Sequence, residues 1–288
     1  MNILKRLRVA TFALAFGNFA MSADAFSATP AISVPNITSC SNATLQGTVM
    51  GGGISIMNGA PLPWIWMEYW DGTGKSTWME FDSYGTSNSG WFTGSQTYSV
   101  SSNCVAVDNY RYDPPGHPFI YFVNPDGSGL NYVNELAYGN VAADTAVKVS
   151  RANLMGTLSP SSTCNLTTLR GTYVASVVEN VGGNVQARLT RRSFDGAGKL
   201  TYREDLEPVG GGAAVKTSGT GTYTVTAMCQ AQISQSTAGA SNTLVNEALV
   251  APDGSAYWWV NITNTGVYAA GKATRVSQNS VNNVLLNP

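Results

Sequence analysis

Hydrophobic and polar residues alternate with a period of two along most of the chain, in runs that end at clusters of Gly, Asp, Asn and Ser. Such alternation predicts β-strands with one buried face, and Asp-Gly turns between the runs predict hairpins because Gly tolerates a positive φ. The first half of the chain gives eight runs comparable to those of the second half. In the second half the predicted strands lie near residues 169–178, 185–194, 199–207, 215–227, 229–235, 243–251, 256–263 and 267–276.

The same series of Cys, Gly and turn residues occurs twice, at an offset of 124 to 127 residues, which indicates a tandem duplication. Each copy contains the pattern C-x4-L-x-G-T, an Asp-Gly turn, the pattern G-x3-Y-x-V, a second Cys and a second Asp-Gly turn. The duplication predicts two domains of the same fold. Matched pairs include Cys40 and Cys164, Trp70 and Phe194, Glu80 and Glu204, Tyr98 and Tyr223, Cys104 and Cys229, Lys148 and Lys272, and Arg151 and Arg275.

Eight antiparallel strands joined by successive hairpins can close on themselves, which removes both exposed edges. We therefore predict an all-β chain of two tandem eight-stranded antiparallel up-and-down barrels. Two β-sandwiches have the same local pattern and stay open as the alternative. The predicted boundaries are a signal peptide at 1–25, an N-terminal lead at 26–39, the first barrel at 40–155, a linker at 156–163, the second barrel at 164–276 and a C-terminal tail at 277–288.

The first residues predict export. Lys5, Arg6 and Arg8 precede an apolar run that ends near Ala20, and an A-x-A site follows, so we expect cleavage near Ala25. The apolar run is shorter than the about 20 residues that a bilayer requires, so no membrane span is predicted. We expect a protein that is secreted or periplasmic.

The chain has four Cys, an even number in a sequence that carries an export signal, which favours disulfides over catalytic thiols. A bridge within each copy is the simplest arrangement, although other pairings stay open. No C-x-x-C spacing suggests zinc. The predicted pairs are Cys40 with Cys104 and Cys164 with Cys229.

The repeated Cys, Asp-Gly and Tyr pattern resembles a group of uncharacterised exported bacterial proteins, over both copies. The layout also resembles, more loosely, calycin-like and allene-oxide-cyclase-like barrels. Members of those families bind apolar molecules in the barrel mouth or cyclise them there. The resemblance implies a closed barrel with room for a small ligand.

Several classes of function are disfavoured. Without Lys5, Arg6, Arg8 and Asp24 the chain has 13 basic and 16 acidic residues, which gives no reason to expect nucleic acid as a partner. The single His, His117, lies in a Pro-rich segment, and no phosphate-binding loop or dinucleotide fingerprint occurs. We predict no cofactor and no metal site, since the Asp-Gly sequences read better as hairpin turns than as calcium loops.

Two matched carboxylates, Glu80 and Glu204, are weak catalytic candidates. Glu204 alternates with Tyr202 and Leu206 and is predicted to point into its barrel, with Arg151 and Arg275 of the last strands as partners. A structural ion pair is the simpler interpretation. The alternative is a general acid or base whose pKa is raised by burial.

Aromatic residues crowd into the first copy, which predicts that its barrel binds a ligand, unless the rings only fill the barrel or a contact between barrels. Ile65 and Met67 make the second face of the Trp64 strand apolar too, so this face is expected to meet a ligand or the neighbouring domain. The two copies are therefore expected to dock on each other. The predicted ligand-binding residues are Trp64, Trp66, Trp78, Glu80, Trp91 and Arg151.

The leading hypothesis is a non-catalytic exported protein that binds a small apolar or aromatic ligand in the first barrel. A barrel cyclase or isomerase that uses an interior Glu is the first alternative. A surface or matrix protein that binds carbohydrate through exposed Trp64 or Trp66 is the second.

Overall fold

The computed structural model describes residues 39–84, 87–109, 119–136, 140–155, 164–181, 183–208, 213–237, 243–263 and 266–278. The predicted signal peptide, the lead up to residue 38, the linker at 156–163 and the tail beyond residue 278 lie outside the described residues, as does His117. All statements below concern the described part of the chain.

The first barrel is closed and antiparallel, with each strand paired to the next along the chain and the last strand paired to the first. This is the up-and-down order that successive hairpins predict. Its strands are β1 (Gly47–Met57), β2 (Ala60–Trp70), β3 (Lys75–Ser83), β4 (Asn88–Val100), β5 (Val105–Asp108), β6 (Ile120–Val123), β7 (Gly129–Leu136) and β8 (Asn140–Ser150).

The second barrel has the same order and is closed because its first strand pairs with both the second strand and the last. The prediction of two eight-stranded barrels is confirmed, and the β-sandwich alternative is wrong. The strands are β9 (Arg170–Val181), β10 (Asn184–Asp195), β11 (Lys199–Pro208), β12 (Val215–Val225), β13 (Gln230–Thr237), β14 (Thr243–Val250), β15 (Ala256–Asn261) and β17 (Ala270–Ser277), with the two-residue β16 (Val267–Tyr268) beside β9.

The repeated sequence pattern encodes one end of each barrel. The Leu of C-x4-L, Leu45 in the first copy, ends a short 3₁₀ helix and is fully buried beneath the strands. The rings of Trp70 and Tyr98 meet edge to face at 4.6 Å, and those of Phe194 and Tyr223 meet in the same way at 5.0 Å. The residues that mark the duplication are therefore structural, and they close the same end of both barrels.

Each copy has its own disulfide at this closed end. Cys40 is bonded to Cys104 and Cys164 to Cys229, with Cα atoms 5.0 Å apart in both pairs. These are the pairs predicted from the spacing. Each bridge links the segment before the first strand to the turn before the fifth strand of the same barrel.

The first Asp-Gly turn is a hairpin turn, as predicted. The Asp71 carboxylate accepts hydrogen bonds from the backbone N–H groups of Thr73, Gly74 and Lys75. Gly72 and Gly74 have φ angles of 80° and 116°, which L side chains rarely adopt. The carboxylate is thus used to hold the turn.

The second apolar face of β2 packs against the other barrel. The sequence predicted that this face meets either a ligand or the neighbouring domain, and the structure shows the second. Ile65 and Met67 point outwards and belong to one buried cluster with Leu249 and Trp258 of the second barrel. The Ser83 hydroxyl adds a hydrogen bond of 2.6 Å to the carbonyl oxygen of Asn261. Both faces of β2 are therefore buried, one inside its own barrel and one between the barrels.

Two sequence matches on the last strand are wrong, that of Lys148 with Lys272 and that of Arg151 with Arg275. The structure aligns Lys148, not Arg151, with Arg275: Lys148 pairs with Val49 of β1, and Arg275 pairs with the equivalent Tyr173 of β9. In each barrel a register shift follows this residue. The offset between the copies is 127 on the last strand but 124 on the first, so a match at the shorter offset is wrong by three positions.

Candidate functional site

The first barrel contains a pocket above its closed end. The inward face of β2 carries Trp64, Trp66, Glu68 and Trp70 in strict alternation, because successive side chains of a strand point to opposite faces. The space between the lining side chains, including its open mouth, is about 340 Å³. The lining residues are Trp64, Trp66, Glu68, Trp78, Glu80, Gln96, Phe119, Tyr121 and Tyr132.

Six of the nine lining residues are aromatic, and their rings are ordered against one another. The indoles of Trp64 and Trp66 lie nearly parallel, with centroids 6.2 Å apart and an angle of 11°. Tyr132, from the opposite wall, meets both indoles edge to face at 5.6 and 5.9 Å. A pocket lined by aromatic rings favours apolar groups, and cations that lie over a ring face.

Glu68 is buried in the wall of the pocket and belongs to a polar network. The amide Nε2 of Gln96 donates one hydrogen bond to Glu68, at 2.8 Å, and another to Asp108, at 2.7 Å. The Tyr121 hydroxyl also donates to Asp108. Burial, and then the nearby Asp108 carboxylate, raise the pKa of Glu68 well above its usual value. One neutral amide thus bridges two acidic groups.

Glu80 lies beside the indole of Trp66, its neighbour across the β2–β3 pair. Part of the Glu80 side chain is exposed to solvent, yet its carboxylate is surrounded by protein atoms. Burial and the Asp82 carboxylate raise the pKa of Glu80 well above its usual value. The site therefore contains two separate acidic groups, Glu68 and Glu80, facing one pocket.

Basic residues do not accompany these acids in the described part of the first barrel. Its copy of the repeat contains Lys75, Arg111, Lys148 and Arg151, of which Arg111 lies outside the described residues. Lys75 and Arg151 are exposed, and the Lys148 ammonium donates to the carbonyl oxygen of Thr44 at the closed end. Every ion pair among the described residues lies in the second barrel.

The second barrel has cations at the equivalent positions. Glu68 pairs with Trp78 across β2 and β3, and Arg192 pairs with the equivalent Tyr202 across β10 and β11, so Glu68 and Arg192 occupy the same position. The same register aligns Glu80 with Glu204. The Arg192 guanidinium is buried, 3.9 Å from Glu204 and 5.0 Å from the ring centroid of Trp259. The interior of the second barrel is therefore neutralised by its own side chains.

A second arginine completes that network. Arg188, at the position of Trp64, lies 2.7 Å from Glu179 and 3.2 Å from Glu204. Gln235 also donates a hydrogen bond of 3.3 Å to Glu204. Glu204 is buried and points inwards as expected, but the sequence-based choice of Arg275 as its partner is wrong, because Arg275 donates to the carbonyl oxygen of Asp253 at the closed end.

Of the predicted ligand-binding residues, Trp64, Trp66, Trp78 and Glu80 are brought together in the pocket, and two others are not. Trp91 points outwards, where its ring lies 5.2 Å from that of Phe81 and packs against the contact between the barrels. Arg151 is exposed after the end of β8. Neither side chain lines the pocket, because aromatic density and a position on the last strand do not by themselves turn a side chain into the interior.

Sequence reasoning missed five lining residues. Glu68 carried a usable signal, since it alternates with Trp64 and Trp66 on one face of β2. Gln96 and Phe119 carried none. Tyr121 and Tyr132 come from β6 and β7, on the opposite side of the barrel, so only closure of the sheet brings them to the pocket.

The fold and the pocket define a class: an all-β protein of two up-and-down barrels, of which the first has an aromatic and acidic interior. No protein-family model and no curated protein sequence matches the chain.

Two solved structures show a distant similarity. One is a protein of unknown function of the DUF3598 family from Nostoc punctiforme PCC 73102, at 9% identity over 82% of this chain and 98% of that one, with a TM-score of 0.24. The other is PF-8, the DNA polymerase accessory subunit of Kaposi's sarcoma-associated herpesvirus, at 12% identity over 81% and 91% of the two chains, with a TM-score of 0.13. At these scores neither similarity carries an argument about this chain.

The helical segments of the described chain are single 3₁₀ turns, and none of them could span a bilayer.

Proposed function

We propose that this is an exported, non-catalytic binding protein whose first barrel takes a small ligand with an apolar or aromatic body. The observation that carries the proposal is the difference between the two interiors. Six rings line a pocket in the first barrel, whereas the second barrel has Arg188 and Arg192 at the positions of Trp64 and Glu68, both in ion pairs with Glu204. The second barrel is then the structural support of the first.

The size of the pocket limits the part of the ligand that enters. The centre of a water molecule can occupy about 30 Å³ between the lining side chains. That is room for about two waters. A small group of the ligand therefore enters between the rings, and its larger body lies at the open mouth.

Native mass spectrometry of protein purified from its own host tests binding directly. A bound small molecule should add mass to the wild type, and Trp66→Ala should lose it because one wall of the pocket is removed. Thr190→Ala changes the equivalent position of the second barrel and should keep the ligand. A wild type without added mass that also takes up nothing from a panel of small apolar molecules would overturn the proposal.

An enzyme is the second candidate, favoured by the raised pKa of Glu80, which faces the pocket. A carboxyl with a raised pKa keeps its proton to a higher pH than usual and can donate it to an enclosed substrate. Incubation of the recovered ligand with the protein decides between the two. An acid–base enzyme would convert it, and Glu80→Gln would slow the conversion by about 10² to 10⁴; a binder returns the ligand unchanged.

Carbohydrate binding through exposed Trp side chains is not supported. Trp64 and Trp66 are 8% and 5% exposed and face the barrel interior, so they form no platform on the outer surface.

Export is part of the proposal. The two disulfides are compatible with an exported protein, since such bonds persist in oxidising compartments. N-terminal sequencing of the protein from its host should begin near Phe26. A mature chain that still begins at Met1 would contradict export by a cleaved signal peptide.

A further inference from the structure

We infer that the ligand of the first barrel carries a primary ammonium group, and that this group binds between Glu68, Glu80 and Gln96 under the aromatic rings. The inference rests on the proposed function and specifies the chemistry of the ligand.

The second barrel provides the precedent within the same molecule. There the guanidinium of Arg192 is itself a cation that lies between the Glu204 carboxylate and the ring of Trp259. Strand register aligns Glu204 with Glu80 and Trp259 with Tyr132. The first barrel thus keeps the carboxylate and an aromatic ring, while the position of the cation is taken by another acid, Glu68.

One buried acceptor in the wall of the pocket lacks a hydrogen-bond donor. The Oε1 atom of Gln96 is buried and has no hydrogen-bond partner, although its Nε2 atom is fully used by Glu68 and Asp108. An unsatisfied buried acceptor is costly, and a bound donor would relieve that cost. A primary ammonium has three N–H donors, which match Glu68, Glu80 and this amide oxygen.

Charge and size point the same way. Glu68 and Glu80 face one pocket and have no basic partner among the described residues, so a bound cation would compensate both. Aromatic faces attract a desolvated cation more than a neutral group of the same shape. A primary ammonium is about the size of a water molecule, and the narrow space admits about two waters.

Calorimetric titration with pairs of equal shape tests the inference. Methylamine, butylamine and benzylamine are compared near neutral pH with methanol, butan-1-ol and benzyl alcohol. At least one amine should bind, and it should bind at least about tenfold more tightly than its alcohol, the lower range for a hydrogen bond to a charged group. Equal binding of amine and alcohol would overturn the inference and leave the proposed function standing. If no amine binds at millimolar concentration, the inference is also overturned. The proposed function is then tested separately, by native mass spectrometry of the protein purified from its host.

Variants locate the site. Glu80→Gln and Glu68→Gln keep the side-chain shape and should each weaken amine binding by about tenfold or more, without changing the binding of the alcohol. Glu204→Gln is the matched change in the second barrel and should leave amine affinity unchanged. Far-UV circular dichroism shows whether each variant is folded, and a folded double Gln variant that binds the amine like the wild type would refute the site.

The wild type supplies a readout that requires no variant. Because an amine binds the ionised carboxylates, its affinity should rise as the pH is raised and the two Glu residues lose their protons. The affinity of the matching alcohol should not rise. An amine affinity that is constant between about pH 5 and about pH 8 would contradict the inference, since titration of the carboxylates is then not linked to binding.

Discussion

Glu68 and Arg192 occupy the same place in the two barrels, each two residues before the ring that closes the barrel end and each opposite the equivalent residue of the next strand. A duplication has thus produced opposite charges at one interior position. In the second barrel the charge is compensated internally, by Glu204 at 3.9 Å. In the first it is not compensated by any described residue, and this difference is the basis of the functional proposal.

The Arg192 position gives the first prediction. Arg192→Met should lower the free energy of unfolding by about 3–5 kcal/mol, because it removes one partner of a buried charge and leaves Glu204 with Arg188 alone. Chemical denaturation measures the change. Arg203→Met is the control: Arg203 and Asp205 are 24% and 34% exposed and 3.5 Å apart, and a pair that is partly in contact with solvent should contribute less than the interior network. Equal losses in the two variants would mean that the interior network stabilises the fold no more than this partly exposed pair.

The contact between the barrels gives the second prediction. Trp258 is 2% exposed and packs against Ile65 and Met67 of the first barrel. Trp258→Ala should therefore cost about 3–5 kcal/mol of unfolding free energy, the range for large-to-small changes in a core. Val276→Ala, at a position 57% exposed in the same barrel, should change it by about 0.5 kcal/mol or less. If the contact between the barrels is as tight as the buried cluster implies, only the Trp258 variant will shift the urea midpoint measurably.

The disulfide of the first barrel gives the third prediction. It joins residues that are 64 positions apart, and in the chain-entropy model a closed loop of that size stabilises the folded state by about 4 kcal/mol. Cys104→Ser with Cys40→Ser should lower the free energy of unfolding by about this amount in denaturant titration. A reducing agent opens both bridges of the wild type and should therefore destabilise it by more than the double substitution does. It should also destabilise the variant further, because the variant keeps the Cys164–Cys229 bridge. A variant as stable as the wild type would contradict a structural role.

The architecture could be predicted from the sequence because its signals are local. Period-two alternation marks each strand, and Asp-Gly turns mark the hairpins, so the predicted run at 185–194 matches β10 (Asn184–Asp195) closely. The other runs of the second copy agree with the strands to within about three residues at each end, except the last, since the 267–276 prediction is split into β16 and β17. The number of strands permits closure, because a meander of eight can pair its ends, but the same local pattern also fits a β-sandwich.

The pocket could be predicted only in part, because its composition depends on which face of each strand points inwards. Trp66 and Trp91 look alike in the sequence, yet β2 turns Trp66 into the barrel, while β4 turns Trp91 towards the other barrel. Spacing misaligns the last strand because the offset between the copies is 124 at their first strands but 127 from the second Asp-Gly turn onwards, so that Lys148 corresponds to Arg275. Neither the packing of one barrel on the other nor a change in loop length leaves a period-two signal.

The acidic interior of the first barrel predicts an unusual dependence of stability on pH. Burial raises the pKa of Asp144 from 3.8 to about 6, and the pKa values of Glu68 and Glu80 are also raised, mainly by burial. A carboxyl with a raised pKa binds a proton more tightly in the folded state than in the unfolded state. Its contribution therefore favours folding at low pH and is lost as the pH rises from the unfolded to the folded pKa, a window of about 4 to 6 for Asp144.

The free energy of unfolding of the wild type should accordingly fall as the pH rises from about 4 to about 6, which urea titration at each pH measures. Asp144→Asn keeps a side-chain oxygen for the backbone N–H of Gly52, which donates to Asp144 at 3.0 Å, but it cannot ionise. The fall should be smaller in this variant, whereas Asp126→Asn, at an exposed turn, should leave it unchanged. A wild type that becomes more stable over the same interval would show that the interior acids are already ionised and compensated when the barrel is folded.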